Sequence, residues 1–367
     1  MSDLASYVMI GGFLGAGKTT AVARFAQHLT DQGKRVGLIC NDQSSGLVDT
    51  TLLRSKGFAV EEITGGCFCC RFNSLLDAAD NLTQTSRPDI FLAEPVGSCT
   101  DLIATVSYPL RRIYGDRFRV APLSVLVDPM RAARILGIAD GRSFSDKVAY
   151  VYRKQLQEAD LIVVNKCDAH PHEFLDRLVA ALADAYPRAR IFTCSAKDGT
   201  GVQEWFETVL TGENSAFGAK PLEIDYDIYA EGEALLGWLN CTVRLVSDEP
   251  FDGNQALVTL AHRIRAGVAD AGQEIAHLKM TLDSQDGTGT LSVVSLVGTD
   301  REPDLRESLL DRVDGGELVI NLRAEADPAV LESLTREALT SLSGVRATME
   351  HLEQLRPGRP TPTHRMA

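Results

Sequence analysis

The chain has 367 residues, 44% apolar and 24% charged, the balance of a soluble protein that buries a full core and is long enough for two domains. Fifty acidic against 37 basic residues leave a net charge of −13, which argues against DNA or RNA as a main partner, because phosphate binding needs a basic surface. No apolar run approaches the ~18 residues of a membrane span and no signal peptide precedes the first strand, so a cytoplasmic protein without a membrane partner is expected. In that compartment its eight cysteines read as thiols, metal ligands or core residues.

The apolar run Tyr7 to Ile10 is the first predicted strand. It feeds Gly12-Phe13-Leu14-Gly15-Ala16-Gly17-Lys18-Thr19, a complete GxxxxGK[ST] pattern, and a helix is predicted from Thr20 to Leu29. Glycines let such a backbone curl until its N–H groups point at a phosphate, and the helix adds the positive end of its dipole. Gly12, Gly15, Ala16, Gly17 and Thr20 would cradle the phosphates of a nucleoside triphosphate. Lys18 would reach the β- and γ-phosphates, and the Thr19 hydroxyl would ligate Mg²⁺.

Further strands are predicted at Arg35 to Ile39, Ile90 to Ala93, Ser124 to Val127, Leu161 to Val164 and Arg190 to Thr193, alternating with helical stretches in the manner of a parallel sheet. Several end at polar residues (Asn41 and Asp42, Glu94, Asp128, Asn165, Ser195), and ligands of open α/β sheets sit at those ends. Asp42 can hold Mg²⁺ through water or orient an attacking water, and Asp49 lies in the same loop; capping and turn formation is the plainer alternative for both. Glu94 occupies the place of the Walker B acid, and Gly97 can offer its N–H to the γ-phosphate. Lys18, Glu94 and Asp42 are thus the catalytic candidates.

Between those elements lies Gly65-Gly66-Cys67-Phe68-Cys69-Cys70. Three thiols within four residues can converge on one soft or borderline metal, Zn²⁺ first, whereas a core reading would turn successive side chains in different directions. Three ligands leave a fourth position for water, Glu62, a second protein or a client. Cys40, Cys167, Cys194 and Cys241 read as core residues.

Asn165-Lys166-Cys167-Asp168 follows an apolar strand as NKxD. The Asp168 carboxylate can accept from N1–H and the exocyclic amine of guanine, a donor pair adenine lacks. Ser195-Ala196-Lys197 follows the next strand as a second base-contacting loop, so GTP and GDP are expected rather than ATP and ADP. Residues 1–210 then form an α/β P-loop GTPase domain, a mostly parallel sheet flanked by helices. Residues 211–222 read as a linker. Residues 223–355 read as a smaller α+β domain, with strands at Asn240 to Ser247, His277 to Leu282, Thr290 to Val297 and Glu317 to Arg323, helices at Asn254 to Ala271 and Pro328 to Ser343, and a ferredoxin-like sandwich as the candidate topology. The tail 356–367, proline-rich and poor in apolar residues, is expected to be disordered.

In order, MIGGFLGAGKTT, EEITGGCFCC, AEPVG, NKCD and SAK resemble the CobW-like branch of the P-loop GTPases, relatives of the urease, hydrogenase and cobalamin-enzyme accessory GTPases. The likeness covers about residues 5 to 210. It implies a slow, metal-responsive GTPase in which Cys67, Cys69 and Cys70, with the preceding acid Glu62, hold a transferred Zn²⁺ or Co²⁺ for a client metalloprotein. GTP-dependent homodimerisation is common among such relatives. The chain departs from the branch at Asn41-Asp42-Gln43-Ser44 and at Pro95-Val96-Gly97, and it lacks a histidine-rich stretch; His170 and His172 read as a solvated turn. The alternative reading is a GTP-gated accessory protein that assembles, protects or reactivates a corrinoid or other metal-cofactor enzyme, docked through the acidic segment Glu223, Asp225, Asp227, Glu231 and Glu233.

Overall fold

The structure is a computed structural model that describes residues 4–366 apart from 43–49, 51–52, 55, 213–221, 286 and 288. Asp49 and most of the expected linker lie outside the described residues. The chain divides into two units: one runs to Tyr229 and takes in the C-terminal residues from Arg359, and the other spans Ala230–Gly358.

The first unit is built on β1 (Ala5–Gly12), β2 (Val36–Asn41), β3 (Ala59–Ile63), β4 (Ile90–Glu94), β5 (Phe118–Val120), β6 (Ser124–Val127), β7 (Leu161–Val164) and β8 (Arg190–Thr193). They form one sheet in the order β3-β2-β4-β1-β6-β7-β8, with β5 added to the start of β1. Every pairing is parallel. Buried on both faces, β4, β6 and β7 are short runs without exposed residues, as parallel strands under helices must be. Chain connections run to one side of β1 through β2 and β3 and to the other through β6, β7 and β8, so the order reverses around β1. A ligand crevice at the carboxyl ends follows from that reversal.

Helix α1 (Lys18–Asp31) lays Ala21, Val22, Phe25, Ala26 and Leu29 on the sheet. Phe25 stacks on Phe206 with ring centroids 4.0 Å apart, and buried Trp205 donates its indole N–H to Ser124 Oγ at 2.9 Å. A polar handle so satisfied lets a large ring fill the core without a desolvation penalty.

The second unit is an antiparallel sheet ordered β12-β11-β10-β13-β9-β14. Its strands are β9 (Leu236–Phe251), β10 (Glu274–Asp283), β11 (Leu291–Leu296), β12 (Asp304–Glu307), β13 (Val313–Glu325) and β14 (Val345–Leu355). The helix Gly253–Asp270 follows β9 and the helix Pro328–Thr340 follows β13. Read through β9, β10, β13 and β14, the chain order is β-α-β-β-α-β and the spatial order β14-β9-β13-β10, the ferredoxin-like arrangement, with β11 and β12 extending one edge. Leu239, Cys241, Val243 and Leu245 of β9 face Leu257, Leu260 and Ile264 of the first helix in one apolar core. No helix among the described residues is long and apolar enough to cross a membrane.

One buried acid sets a pH dependence in the first unit. Glu158 accepts from Thr100 Oγ1 and from the Ile103 N–H, both at 3.1 Å, and burial pushes its pKa up to about 8 from 4.5. The folded state therefore holds this proton more tightly than the unfolded chain. Its contribution to stability is full below pH 4.5 and falls as pH rises towards 8. Glu158→Gln can keep both bonds, accepting from Ile103 and donating to Thr100. In denaturant titrations at pH 6 and pH 8.5, the wild type should lose at least about 1 kcal/mol more than the variant between the two.

Candidate functional site

The phosphate loop leaves β1 at Gly12 and enters α1 at Lys18. Gly17 adopts φ 94° just before the helix, and a Cβ there would lie 2.4 Å from Asn165 Nδ2, so the position needs glycine twice over. That Asn165 amide donates to the Ala16 carbonyl at 2.9 Å, while its carbonyl accepts from the Ala196 N–H at 2.9 Å. Lys166 donates to the Gly15 carbonyl at 2.8 Å and pairs with Asp128 at 2.9 Å. Asp128 is a buried N-cap that also accepts from the Arg131 N–H; burial alone would raise its pKa, but Lys166 and Arg131 hold it well below the carboxylate range. Arg24 of α1 donates to the Ala196 carbonyl at 2.6 Å. Gly15, Ala16, Gly17, Asn165, Lys166, Ser195, Ala196 and Lys197 are thus joined in one neighbourhood, with Asp168 exposed at its rim.

Lys18 and Thr19 are buried at the head of α1. Thr19 Oγ1 donates to Glu94 Oε1 at 3.1 Å, and Lys18 Nζ lies 4.0 Å from the same oxygen. An ammonium and a hydroxyl thus share one carboxylate at the end of β4. Gly97, three residues on, packs so closely that a Cβ would stand 3.0 Å from the Leu14 backbone nitrogen.

The cysteines occupy the turn before the helix Phe72–Thr85, where the Cys67 carbonyl accepts from the Cys70 and Arg71 N–H groups. Cys67 Sγ lies 2.8 Å from Cys69 Sγ and 3.3 Å from Cys70 Sγ, and Cys69 and Cys70 are 3.7 Å apart. Cys99, which the sequence reading passed over, joins them: the sulfurs of Cys67, Cys69 and Cys99 all lie within 4.8 Å of one another. Hydrogen bonds to Cys67, Cys70 and Cys99, together with burial, push the Cys69 thiol well up, and the bond to Cys67 chiefly raises Cys70. A metal entering this group displaces protons.

Glu62 stands apart from that group. It lies on β3 opposite Cys40, where burial raises its pKa, Arg54 opposes and Asp42 adds to the rise. Its Oε1 is buried without a hydrogen-bond partner among the described residues. Asp42 donates its N–H to the Ile63 carbonyl at the end of β2. Next to it, Asn41 Nδ2 donates to the carbonyls of Ile63 at 3.0 Å and Gly66 at 2.7 Å, tying that strand end to the glycine before Cys67.

The tail is not the disordered segment that its composition suggests. The Thr361 N–H donates to Cys70 Sγ at 3.2 Å, and Thr363 donates from N–H to the Cys69 carbonyl and from its hydroxyl to the Cys70 carbonyl. His364 packs edge-on against Phe72, and Arg365 pairs with buried Asp101 at 2.7 Å.

A parallel sheet with a GxxxxGK[ST] loop after its first strand, and NKxD and SAK loops at two later strand ends, defines a P-loop nucleotide-binding protein of the GTPase class. Residues 6–193 match the family described as CobW/HypB/UreG, nucleotide-binding domain, and the chain belongs to that family. It is 31% identical over 163 residues to the zinc chaperone YeiR of Escherichia coli, spanning 44% of this chain and 46% of that relative. It is 28% identical over 304 residues to a probable GTPase of Mycobacterium tuberculosis, 77% of this chain and 83% of the relative. Against the zinc chaperones YeiR and CobW (Sinorhizobium sp.) the alignments take in about half of each relative's length. The Zn(II)-bound YjiA GTPase from E. coli is similar over 93% of this chain and 99% of its own, at 17% identity and a TM-score of 0.39.

The tail contacts generate a direct expectation. In reduced protein, a chain ending at Gly358 should have Cys70 alkylated by iodoacetamide at least about threefold faster than the full chain, because a protecting segment is gone. Equal rates would show that residues 359–366 do not cover it.

Proposed function

We propose that the chain is a GTP-hydrolysing metallochaperone that binds Zn²⁺ through Cys67, Cys69 and Cys70 and passes it to a client metalloprotein. The observation that carries this reading is the convergence of those thiols, Cys67 and Cys69 buried and Cys70 half-buried, on a loop whose Gly66 carbonyl is held by Asn41, at the same end of the sheet as Lys18 and Glu94. Relatives named zinc chaperones make Zn²⁺ the first metal to test, and Co²⁺ shares its tetrahedral thiolate chemistry. A GTP-dependent homodimer is part of the same reading.

GTP is the substrate. The N–H groups of Gly15, Gly17, Lys18 and Thr19 hold its phosphates, with Gly12 and Thr20 framing the loop and the Lys18 ammonium neutralising the β and γ oxygens. Asp168, waiting in solvent, accepts from guanine N1–H and the exocyclic amine, and the Ser195-Ala196-Lys197 loop borders the base. Thr19 Oγ1 and the Glu94 carboxylate, 3.1 Å apart beside Lys18, are hard oxygen donors of the kind Mg²⁺ takes, with Asp42 as a third candidate. When bound, Mg²⁺ supplies further neutralisation of phosphate charge. Asp42 orients the water that attacks the γ-phosphorus. The new P–O bond forms as the bond to the β-phosphate oxygen breaks, and GDP and phosphate leave. The Gly97 N–H contacts the γ-phosphate, and those contacts vanish on hydrolysis, which alters the loops that adjoin the thiols.

Two variants test separate halves of this reading. Asp168→Asn removes two charge-assisted bonds, each worth about 1.5–3 kcal/mol, and should weaken GTP binding at least about a hundredfold without weakening ATP. Cys67→Ser/Cys69→Ser/Cys70→Ser should lower Zn²⁺ affinity at least about a hundredfold while nucleotide affinity without metal stays intact. Unchanged Zn²⁺ affinity in the triple variant would overturn the chaperone reading, and unchanged GTP affinity in Asp168→Asn would overturn the base assignment.

A further inference from the structure

Cys99 sits apart in sequence from the CxCC motif and belongs to the loop that follows Glu94. It is 1% exposed, its sulfur falls within 4.8 Å of both Cys67 Sγ and Cys69 Sγ, and a hydrogen bond links it to Cys69. Tetrahedral Zn²⁺ with bonds of about 2.3 Å needs sulfurs about 3.8 Å apart; Cys69 and Cys70 stand 3.7 Å apart, and Cys99 lies within 4.8 Å of Cys67 and Cys69. An ordinary core cysteine would pack against apolar side chains and would have no reason to meet two other thiols.

The loop that carries it is short and held at both ends. Glu94 accepts from Thr19 of the phosphate loop, Gly97 packs against Leu14, and Gln155 Nε2 donates to the Gly97 and Cys99 carbonyls, at 2.9 Å each. Four residues separate the carboxylate beside Lys18 from the sulfur beside Cys69.

We infer that Cys99 is a fourth, movable thiolate ligand. With GDP it completes a four-sulfur site with Cys67, Cys69 and Cys70. When a γ-phosphate engages the Gly97 N–H, the Glu94–Cys99 loop shifts, Cys99 withdraws, and a three-thiolate site with one open position is left for the client. This rests on the metallochaperone reading and assigns the step at which nucleotide acts on the metal.

Co²⁺ titrated into the reduced full-length protein reports the number of thiolates through near-ultraviolet sulfur-to-cobalt charge transfer. With GDP, Cys99→Ser and Cys99→Ala should each lose about one quarter of the wild-type intensity. A non-hydrolysable GTP analogue with Mg²⁺ should bring the wild type down to that level and leave the variants unchanged. Variants that match the wild type in GDP, or a wild type indifferent to the analogue, would overturn the inference. Cys67→Ser separates the two failures. If it loses intensity while the Cys99 variants do not, only the fourth ligand falls; if it too changes nothing, the metal reading itself falls. Far-ultraviolet circular dichroism shows whether each variant is folded.

Discussion

The phosphate loop is held open by two neighbouring side chains of another strand's end. Asn165 spans the Ala16 carbonyl and the Ala196 N–H, and Lys166 spans the Gly15 carbonyl and Asp128. All these atoms lie in or beside the core, where leaving one such group without a partner costs about 1–3 kcal/mol. The loop therefore keeps its curl by contacts within the protein, and the two base-side loops are set against it by the same bonds. Preorganisation of this kind spares a nucleotide the ordering of its own site.

From that fixed point two short paths lead to the thiols. One runs along β2, where Asn41 grips the carbonyl of Gly66 immediately before Cys67. The other runs from Glu94 through Gly97 to Cys99. Both leave the sheet at its carboxyl end, so a parallel arrangement puts a phosphate site and a sulfur site on adjoining loops without any long-range relay. The C-terminal residues add a third element: Thr361 and Thr363 bond to Cys70 and Cys69, and Arg365 anchors the segment at Asp101. An N–H donor on a sulfur favours its thiolate, as hydrogen bonds to ligand atoms do in metal sites generally.

Much of this was legible in the sequence, for identifiable reasons. The six strands expected in the first unit occur within a residue or two of their expected places, because each is a dense apolar run ending at a polar residue. β3 was missed because Glu61 and Glu62 sit inside it, tolerable only on an edge strand that pairs with β2 alone. β5 is three residues long, and β12 and β14 are edge strands whose polar positions mask the alternation. Cys99 and the tail are different cases. Nothing local to Val96-Gly97-Ser98-Cys99 or to Pro360-Thr361-Pro362-Thr363 announces a partner near residue 70; only the folded chain supplies it. Composition judged the tail by its lack of apolar residues, whereas backbone bonds and ion pairs, Arg359 to Asp227 and Arg365 to Asp101 among them, hold it.

The central claim is that metal and nucleotide share one free-energy surface, so each must change the other's affinity by the same factor. The direct measurement is Zn²⁺ titration of the reduced, metal-free protein, once with GDP and once with a GTP analogue plus Mg²⁺. An affinity difference of at least about tenfold, some 1.4 kcal/mol of coupling, is what this account predicts. Equal affinities in the two states would contradict it.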